Sequence, residues 1–258
     1  MTGRPVSGEG DAAGRDRPDG RSEARVPQGG KEQLMKVLIT GTSSGIGKRC
    51  EERFLRKGYE VYGIDRDPAS IDHPAYRHYV ADIRKPETLP DIQGVEILFN
   101  NAGVQNSGED IEVNLKGTIA VTEKYISGNT ALRSVLFNAS ASAVSGQEFP
   151  GYAASKAGLL GYMRNVAIRL APRGVTCNAI SLGGVRTPSN APVMEDPVLW
   201  RRIMDVTPMK KWMTEDEAAS WVLFLTTENR SMSGQNVLID NGEKALNATF
   251  VWPERTEA

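Results

Sequence analysis

The chain has 258 residues, of which 40% are hydrophobic and 24% are charged, and its formal net charge is −1. This balance argues against general electrostatic attraction to nucleic acid or to anionic membranes, and no apolar run reaches the length of a membrane span. The two cysteines, Cys50 and Cys177, and the two histidines, His73 and His78, form no metal-ligating cluster. We therefore expect no metal site and two reduced, buried thiols in a cytoplasmic protein.

The first 33 residues differ in composition from the rest. They are rich in glycine, contain no aromatic residue and carry six basic against six acidic side chains. Such a segment cannot bury enough apolar surface to offset the entropy cost of ordering it. We interpret residues 1–33 as a disordered N-terminal extension or tag, and residues 34–258 as one folded domain.

Short apolar runs alternate with helical patterns along the remainder of the chain. This alternation predicts an α/β fold, a single Rossmann-type doubly wound parallel sheet with helices on both faces. The predicted strands are Met35–Thr40, Glu60–Ile64, Arg77–Val80, Val95–Asn100, Ser134–Asn138, Val175–Ile180 and Val237–Asp240. The predicted helices are Gly45–Lys57, Val113–Ile126, Tyr152–Leu170 and Glu215–Leu225, the last opened by a capping box of Thr214 and Glu217.

A glycine-rich segment follows the first predicted strand and opens the first helix. Thr40–Gly47 reads Thr-Gly-Thr-Ser-Ser-Gly-Ile-Gly, and its glycines are Gly41, Gly45 and Gly47. Glycines here let backbone N–H groups approach a pyrophosphate at the helix N-terminus. The segment therefore predicts a dinucleotide site, and a structural turn without a ligand is the alternative.

Asp65 ends the second predicted strand. A carboxylate at this position can accept hydrogen bonds from the adenosine ribose hydroxyls and repels a 2′-phosphate. Arg66 favours NADP instead, because a guanidinium can pair with that phosphate. The sequence predicts NAD as the cofactor, with NADP as the less favoured choice.

Tyr152 and Lys156 are four residues apart, so they share one face of a predicted helix. A phenol beside a fixed cation loses its proton more easily, which suits it to acid/base work on an alcohol or a ketone. The alternative is an ordinary amphipathic helix face.

Four motifs together resemble those of the short-chain dehydrogenase/reductase family. They are Thr40–Gly47, Asn-Asn-Ala-Gly at 100–103, Asn114, and Tyr-x-x-x-Lys at 152–156, and their order and approximate spacing agree with the family. The likeness runs from about Met35 to Gly242. It implies hydride transfer between a nicotinamide and a carbinol carbon.

The resemblance also implies a role for each matching residue. Tyr152 would be the acid/base, Lys156 would lower its pKa and bind the nicotinamide ribose, Asn114 would hold a water in a proton relay, and Ser140 would bond the substrate oxygen. Asp82 and Ile83 would contact adenine, and Val185 and Thr187 would hold the carboxamide. The full set predicted to bind the cofactor is Gly41, Ser43, Ser44, Gly45, Ile46, Gly47, Asp65, Asp82, Ile83, Asn101, Ala102, Gly103, Tyr152, Lys156, Val185 and Thr187.

The sequence departs from the family pattern in three places. The position of the catalytic serine is open, because the spacing before Tyr152 is shorter than in the family. Ser140 is preferred to Ser142, whereas counting residues from the end of the fifth strand puts Ala141 at the serine position. Leu182 stands where the family usually has proline. The segments 86–94 and 104–113 are shorter than usual in the family, and they affect the helix surface through which the family assembles. The resemblance implies a homo-tetramer or a homo-dimer, and the choice between them is open.

The segment Pro188–Trp212 corresponds to the substrate lid of the family, a loop with some helix. Its apolar side chains could cover a hydrophobic substrate, or could simply pack the lid to the body. The lid candidates are Trp200, Trp212, Met194, Met204 and Val198, with Gln147 and Phe149 on the opposite wall and a Trp252-Pro253 tail that could fold back.

The leading functional hypothesis is an NAD(H)-dependent oxidoreductase that interconverts a secondary alcohol and a ketone. A moderately apolar small molecule, such as a steroid, a cyclic alcohol or an acyl ketone, would fit the lid. The alternatives are a non-catalytic NAD-binding regulator, and an epimerase or dehydratase that keeps the cofactor.

Overall fold

The computed structural model describes residues 34–244 and residue 246. Within this part of the chain, seven strands form one sheet, and every adjacent pair is parallel. The strand order is β3-β2-β1-β4-β5-β6-β7, which confirms the predicted fold class. The strands are β1 (Lys36–Thr40), β2 (Glu60–Asp65), β3 (Tyr76–Val80), β4 (Ile97–Asn100), β5 (Ser134–Asn138), β6 (Thr176–Leu182) and β7 (Asn236–Ile239).

Helices connect the strands and cover both faces of the sheet. They are α1 (Gly45–Arg56), α2 (Thr118–Ile126), α3 (Ser142–Ser145), α4 (Pro150–Leu170), α5 (Ala191–Glu195), α6 (Pro197–Val206) and α7 (Glu215–Leu223). Seven π-helical residues, Ile111–Gly117, lead directly into α2, and five more, Phe224–Glu228, follow α7. Among the described helices, none is long and apolar enough to cross a membrane.

Each face of the sheet carries its own apolar layer. On β1, Leu38 belongs to the layer that includes Met163 of α4, whereas Val37 and Ile39 belong to the layer that includes Phe54 of α1. All five side chains are fully buried. Because both faces are covered, the strands read as continuous apolar runs rather than alternating ones, which is why they could be recognised in the sequence.

The predicted elements agree with the observed ones to within a few residues, and the differences have local causes. Strand β6 continues to Leu182, two residues beyond its predicted end, because Leu182 pairs with Ile239 and accepts a hydrogen bond from the N–H of Ala141. The segment between β3 and β4 contains only a 3₁₀ turn, Pro86–Thr88, which agrees with its short length. The capping box of α7 is present as predicted.

Both cysteines are buried free thiols, as predicted. Burial raises the pKa of each thiol, that of Cys177 to about 12. They therefore behave as apolar core groups.

Glu51 is a buried acid on α1 that the sequence analysis did not single out. It is fully buried, and among the described residues neither carboxylate oxygen has a partner in a well-formed hydrogen bond. The hydroxyl of nearby Tyr76 bonds to the hydroxyl of Thr42 at 3.0 Å and to Nδ1 of His78 at 2.8 Å, and it lowers the pKa of Glu51. Burial is the main cause that raises the pKa of Glu51 to about 7. The folded protein therefore favours the protonated acid.

We predict that Glu51→Gln removes a pH-dependent loss of stability. The folded-state pKa is raised from 4.5 to about 7, so the wild-type free energy of unfolding should fall as pH rises through this window and level off above it. The variant should unfold at about the same urea concentration as the wild type near pH 4.5, and should be more stable at pH 8 by up to about 3 kcal/mol.

Urea unfolding at both pH values measures this difference. Glu87→Gln is the control, because Glu87 is exposed. An equal difference between Glu51→Gln and wild type at the two pH values would contradict the assignment.

Candidate active site

The glycine-rich segment forms a tight loop between β1 and α1. Gly41 and Gly45 have positive φ angles of 77° and 57°, which side-chain-bearing residues rarely adopt. A Cβ added at Gly47 would overlap the carbonyl oxygen of Gly41, so α1 starts in contact with the loop. The Ser44 side chain does not cap α1, and the first turn holds no acidic residue. The first N–H groups of α1 are thus available to an anion, which fits a pyrophosphate.

Asp65 connects the end of β2 to this loop. Its Oδ2 accepts a hydrogen bond from the N–H of Ser43 at 2.9 Å, and its Oδ1 accepts one from the N–H of Asp67 at 3.1 Å. A carboxylate offers about four acceptor positions, so two remain for ribose hydroxyls.

Asn101 joins the ends of three strands. Its Nδ2 donates to the carbonyl oxygens of Thr40 and Gly41, each at 3.1 Å, and its Oδ1 accepts from Nδ2 of Asn138 at 2.9 Å. A Cβ at Gly41 would lie 2.9 Å from Cα of Ala102. Asn101 and Ala102 therefore shape the glycine loop, a role that the sequence did not distinguish from direct cofactor contact.

Asp82 and Ile83 follow β3. The Asp82 carboxylate accepts from Nε of Arg84 at 3.0 Å, and this guanidinium is the main cause that lowers the pKa of Asp82. Ile83 is buried, and a Cβ at Gly117 would lie 2.9 Å from its Cγ1. The predicted adenine contact of this pair remains a prediction.

Val185 and Thr187 follow β6 and approach the glycine loop. Val185 forms a β-bridge with Met213, and the Cγ2 atom of Thr187 lies 3.7 Å from where a Cβ of Gly45 would be. The structure thus brings the predicted carboxamide segment beside the predicted pyrophosphate loop.

Asn114 lies fully buried in the π-helical segment before α2. Its Oδ1 accepts from the N–H of Val104 at 2.7 Å, and its Nδ2 donates to the carbonyl oxygen of Val104 at 2.8 Å and to Oγ of Ser155 at 3.0 Å. These bonds occupy both amide protons, so only one Oδ1 lone pair is left for the predicted water. The Ser155 hydroxyl in turn donates to the carbonyl oxygen of Tyr152 at 2.7 Å, which links Asn114 to the α4 backbone.

Among the serine candidates, Ser140 is the one that influences the pKa of Tyr152. Its Oγ accepts from the N–H of Ser142 at 3.1 Å and lies 3.2 Å from the Ser142 hydroxyl. A side-chain hydrogen bond with Ser140 lowers the pKa of Tyr152 against the larger effect of burial. Ala141 contributes its backbone N–H to Leu182.

Lys156 lies beside Tyr152 and is almost completely buried, with 4% of its surface exposed. Its Nζ donates to the carbonyl oxygen of Asn138 at 2.8 Å and lies 5.8 Å from the ring centroid of Tyr152. A Cβ at Gly103 would lie 3.3 Å from the same Nζ, so the small residue leaves room for the ammonium.

Burial is the main influence on the pKa values of Tyr152 and Lys156. Burial is the main cause that lowers the pKa of Lys156 to about 8, and it also raises the pKa of Tyr152. Burial disfavours the charged form of both groups. The predicted lowering of the Tyr152 pKa by Lys156 remains a prediction. Sequence spacing could identify the neighbours but not how deeply they are buried.

Asp110 is a buried residue that sequence reasoning missed. It is 5% exposed, and its charge raises the pKa of both Tyr152 and Lys156. One feature of the sequence could have indicated Asp110. It lies one helical turn before Asn114, within the unusually short segment 104–113.

The two lid tryptophans pack against each other, and Trp212 also packs against the body of the protein. Trp200 and Trp212 form an edge-to-face pair with ring centroids 5.1 Å apart. A Cβ at Gly184 would overlap the Trp212 indole, which places Trp212 directly on the segment after β6. This favours the packing alternative for Trp212.

The other residues predicted to line the substrate site differ in their exposure to solvent. Val198 is 69% exposed and Phe149 is 39% exposed. Met194 and Met204 are partly buried, Gln147 accepts a hydrogen bond from Nζ of Lys244, and the Trp252-Pro253 tail lies outside the described residues.

Comparisons with known proteins agree with this geometry. A family model described as enoyl-(acyl carrier protein) reductase matches residues 41–244. The chain belongs to the short-chain dehydrogenase/reductase family. The resemblance drawn from the motifs is thereby confirmed, and the protein is an enzyme of the dehydrogenase/reductase class. Enzymes of this family bind nicotinamide cofactors and small-molecule substrates.

Individual relatives cover most of the chain. Glucose 1-dehydrogenase of Gluconobacter oxydans (strain 621H) is 27% identical over 80% of this chain and 91% of its own length. The (2S)-[(R)-hydroxy(phenyl)methyl]succinyl-CoA dehydrogenase subunit BbsD of Thauera aromatica is 30% identical over 81% of this chain and 96% of its own. A solved oxidoreductase of the short-chain dehydrogenase/reductase family from Burkholderia thailandensis is 29% identical, with a TM-score of 0.75 over 83% of this chain and 94% of that chain.

We predict that Gly47→Ala separates α1 from the glycine loop. The new Cβ would overlap the carbonyl oxygen of Gly41, so one of the two must move. Protein fluorescence titration with NADH should show an affinity lower by about tenfold or more, and urea unfolding should show a loss of about 1–3 kcal/mol.

Gly161→Ala is the matched control, because a Cβ there meets nothing within 4 Å. It should leave NADH affinity unchanged. Equal affinities for Gly47→Ala and the control would contradict the proposed loop geometry.

Proposed function

We propose that the protein is an NAD(H)-dependent oxidoreductase that interconverts a secondary alcohol and a ketone. The observation that carries this proposal is the meeting of Ser140, Tyr152 and Lys156 at the carboxyl edge of the sheet, near the segment that holds the glycine loop. Two different elements supply these groups: Ser140 follows β5, whereas Tyr152 and Lys156 lie on α4. An ordinary helix face would not require the serine.

Tyr152 is proposed to exchange a proton with the substrate oxygen. Its raised pKa keeps it as a phenol near neutral pH, which is the form that protonates the oxygen of a ketone. Oxidation of an alcohol needs the phenolate instead, so we expect the oxidative rate to rise with pH. Ser140 donates a hydrogen bond to the same substrate oxygen and stabilises charge that develops on it.

Lys156 is proposed to orient the reacting partners. The carbonyl oxygen of Asn138 takes one of its three N–H donors, which leaves two for the nicotinamide ribose and the phenol oxygen. The bound nicotinamide supplies or accepts the hydride. Asn114 fixes the loop at Val104 and the α4 backbone, and its remaining acceptor position can hold a water beside Lys156.

Asp65 supports NAD over NADP as the cofactor. Its carboxylate faces the glycine loop through Ser43, where the adenosine ribose would lie. A negative charge there accepts bonds from two ribose hydroxyls and repels a 2′-phosphate.

The influence of Ser140 on the pKa of Tyr152 supports a catalytic serine, and so favours an enzyme over a non-catalytic NAD-binding regulator. An epimerase or dehydratase would use the same residues without net change in the cofactor. A moderately apolar substrate and a homo-oligomeric assembly remain predictions.

We predict that Tyr152→Phe keeps NADH affinity but loses most turnover, by about 100-fold or more, because the proton has no donor. The measurement is nicotinamide absorbance with a substrate ketone, alongside fluorescence titration of NADH. Tyr162→Phe is the matched control, since Tyr162 lies on the same helix but donates to Glu123. Unchanged turnover in Tyr152→Phe would exclude the acid/base role.

We predict that Asp65→Ala narrows the preference for NADH over NADPH by about tenfold, because the carboxylate no longer repels the 2′-phosphate. Parallel fluorescence titrations with the two cofactors give the ratio. Asp67→Ala is the control, since Asp67 is exposed and contributes its backbone to this turn. A ratio that stays at the wild-type value in Asp65→Ala would count against its ribose role.

A further inference from the structure

Asp110 lies inside the short loop that connects β4 to the π-helical segment. Its Oδ1 accepts from the N–H of Asn106 at 2.9 Å, and its Oδ2 accepts from the N–H of Ser107 at 3.2 Å. A Cβ at Gly151 would lie 3.8 Å from Oδ2 of Asp110, so the carboxylate reaches the residue next to Tyr152. The short loop thus places a buried carboxylate against the first turn of α4.

This carboxylate has no directly bonded cation among the described residues. Its two partners are neutral backbone N–H groups, although a buried charge is costly unless an opposite charge is near. Lys156 is also buried, and its Nζ donates to the neutral carbonyl oxygen of Asn138. The same Nζ lies 3.3 Å from where a Cβ of Gly103 would be, at the start of the segment that leads to Asp110. The hydrogen bonds of the two side chains go to different groups, and the charge of Asp110 favours the ammonium form of Lys156.

In the part of the chain that the structure describes, two charged groups shift the pKa values of the Tyr152–Lys156 pair. Asp110, from the end of the loop that follows β4, raises the pKa of both members, whereas Glu148, from the turn before α4, raises that of Tyr152 alone. Burial opposes Asp110 at Lys156 and lowers its pKa to about 8. At neutral pH the charge of Lys156 is consequently sensitive to one neighbouring group.

We propose that Asp110 is a positioning residue that holds Lys156 as an ammonium ion and fixes the loop beside Tyr152. This inference rests on the proposed function, in which the ammonium binds the nicotinamide ribose. Asp110 touches neither the substrate nor the cofactor in this account and acts through Lys156.

The test is NADH affinity as a function of pH, measured by fluorescence titration between about pH 6 and pH 10. Wild-type affinity should fall as pH rises through the pKa of Lys156, near 8. In Asp110→Asn the fall should begin about one pH unit lower, so that affinity equals wild type near pH 6 and is several-fold weaker near pH 8. Asp110→Ser, which also keeps an acceptor for the loop, should behave like Asp110→Asn and serves if that variant does not fold.

Two further variants separate charge from structure. Asp110→Glu keeps the charge and should keep the wild-type inflection even if loop bonds weaken. Glu148→Gln removes the charge that faces Tyr152 and should leave the inflection for NADH unchanged.

An inflection at the wild-type pH in both neutral variants would overturn the proposal, as would an affinity lowered by the same factor at every pH, which a purely structural role predicts. Failure of the wild-type protein to bind NADH at any pH would instead refute the proposed function itself.

Discussion

Three hydrogen bonds in series connect the glycine loop to Lys156 across the carboxyl edge of the sheet. The Asn101 side chain donates to the carbonyl oxygen of Gly41, the Asn138 side chain donates to Asn101, and the Lys156 ammonium donates to the carbonyl oxygen of Asn138. These bonds tie the ends of β1, β4 and β5 to α4. Because all pairings in the sheet are parallel, these ends meet at one edge, and the cofactor loop and the acid/base helix have a fixed spacing.

Burial fixes this geometry and also makes the charges within it costly. It drives Lys156 toward the neutral amine and Tyr152 toward the neutral phenol. Ser140 opposes burial at Tyr152, and Asp110 opposes it at Lys156. The chemistry therefore depends on residues outside the Tyr-x-x-x-Lys motif, which supplies the groups but not their charge states. Glu51 shows the same effect, since burial outweighs the opposing influence of Tyr76 and Lys48 and raises the pKa of the carboxyl to about 7.

The fold could be predicted from the sequence because the residue pattern of each segment agrees with the element that the segment forms. Buried parallel strands read as apolar runs, and the glycines of the first loop mark a turn that few other residues allow. Sequence reasoning could also name Tyr152 and Lys156, whose spacing encodes a shared helix face. It could not predict the charge states of that pair, the bonds that occupy Asn114, or the role of Asp110. Each of these depends on burial and on contacts between segments distant in sequence, such as the 3.0 Å bond from Asn114 to Ser155.

The central claim is that this edge of the sheet carries out net hydride transfer between NAD(H) and a carbinol carbon. The most direct measurement is absorbance of the nicotinamide band when the protein is mixed with NAD⁺ and a panel of secondary alcohols, and with NADH and the corresponding ketones. The account predicts net formation of NADH with one class of alcohol and its consumption with the matching ketone. Tight NADH binding without net turnover in either direction across the panel would contradict it.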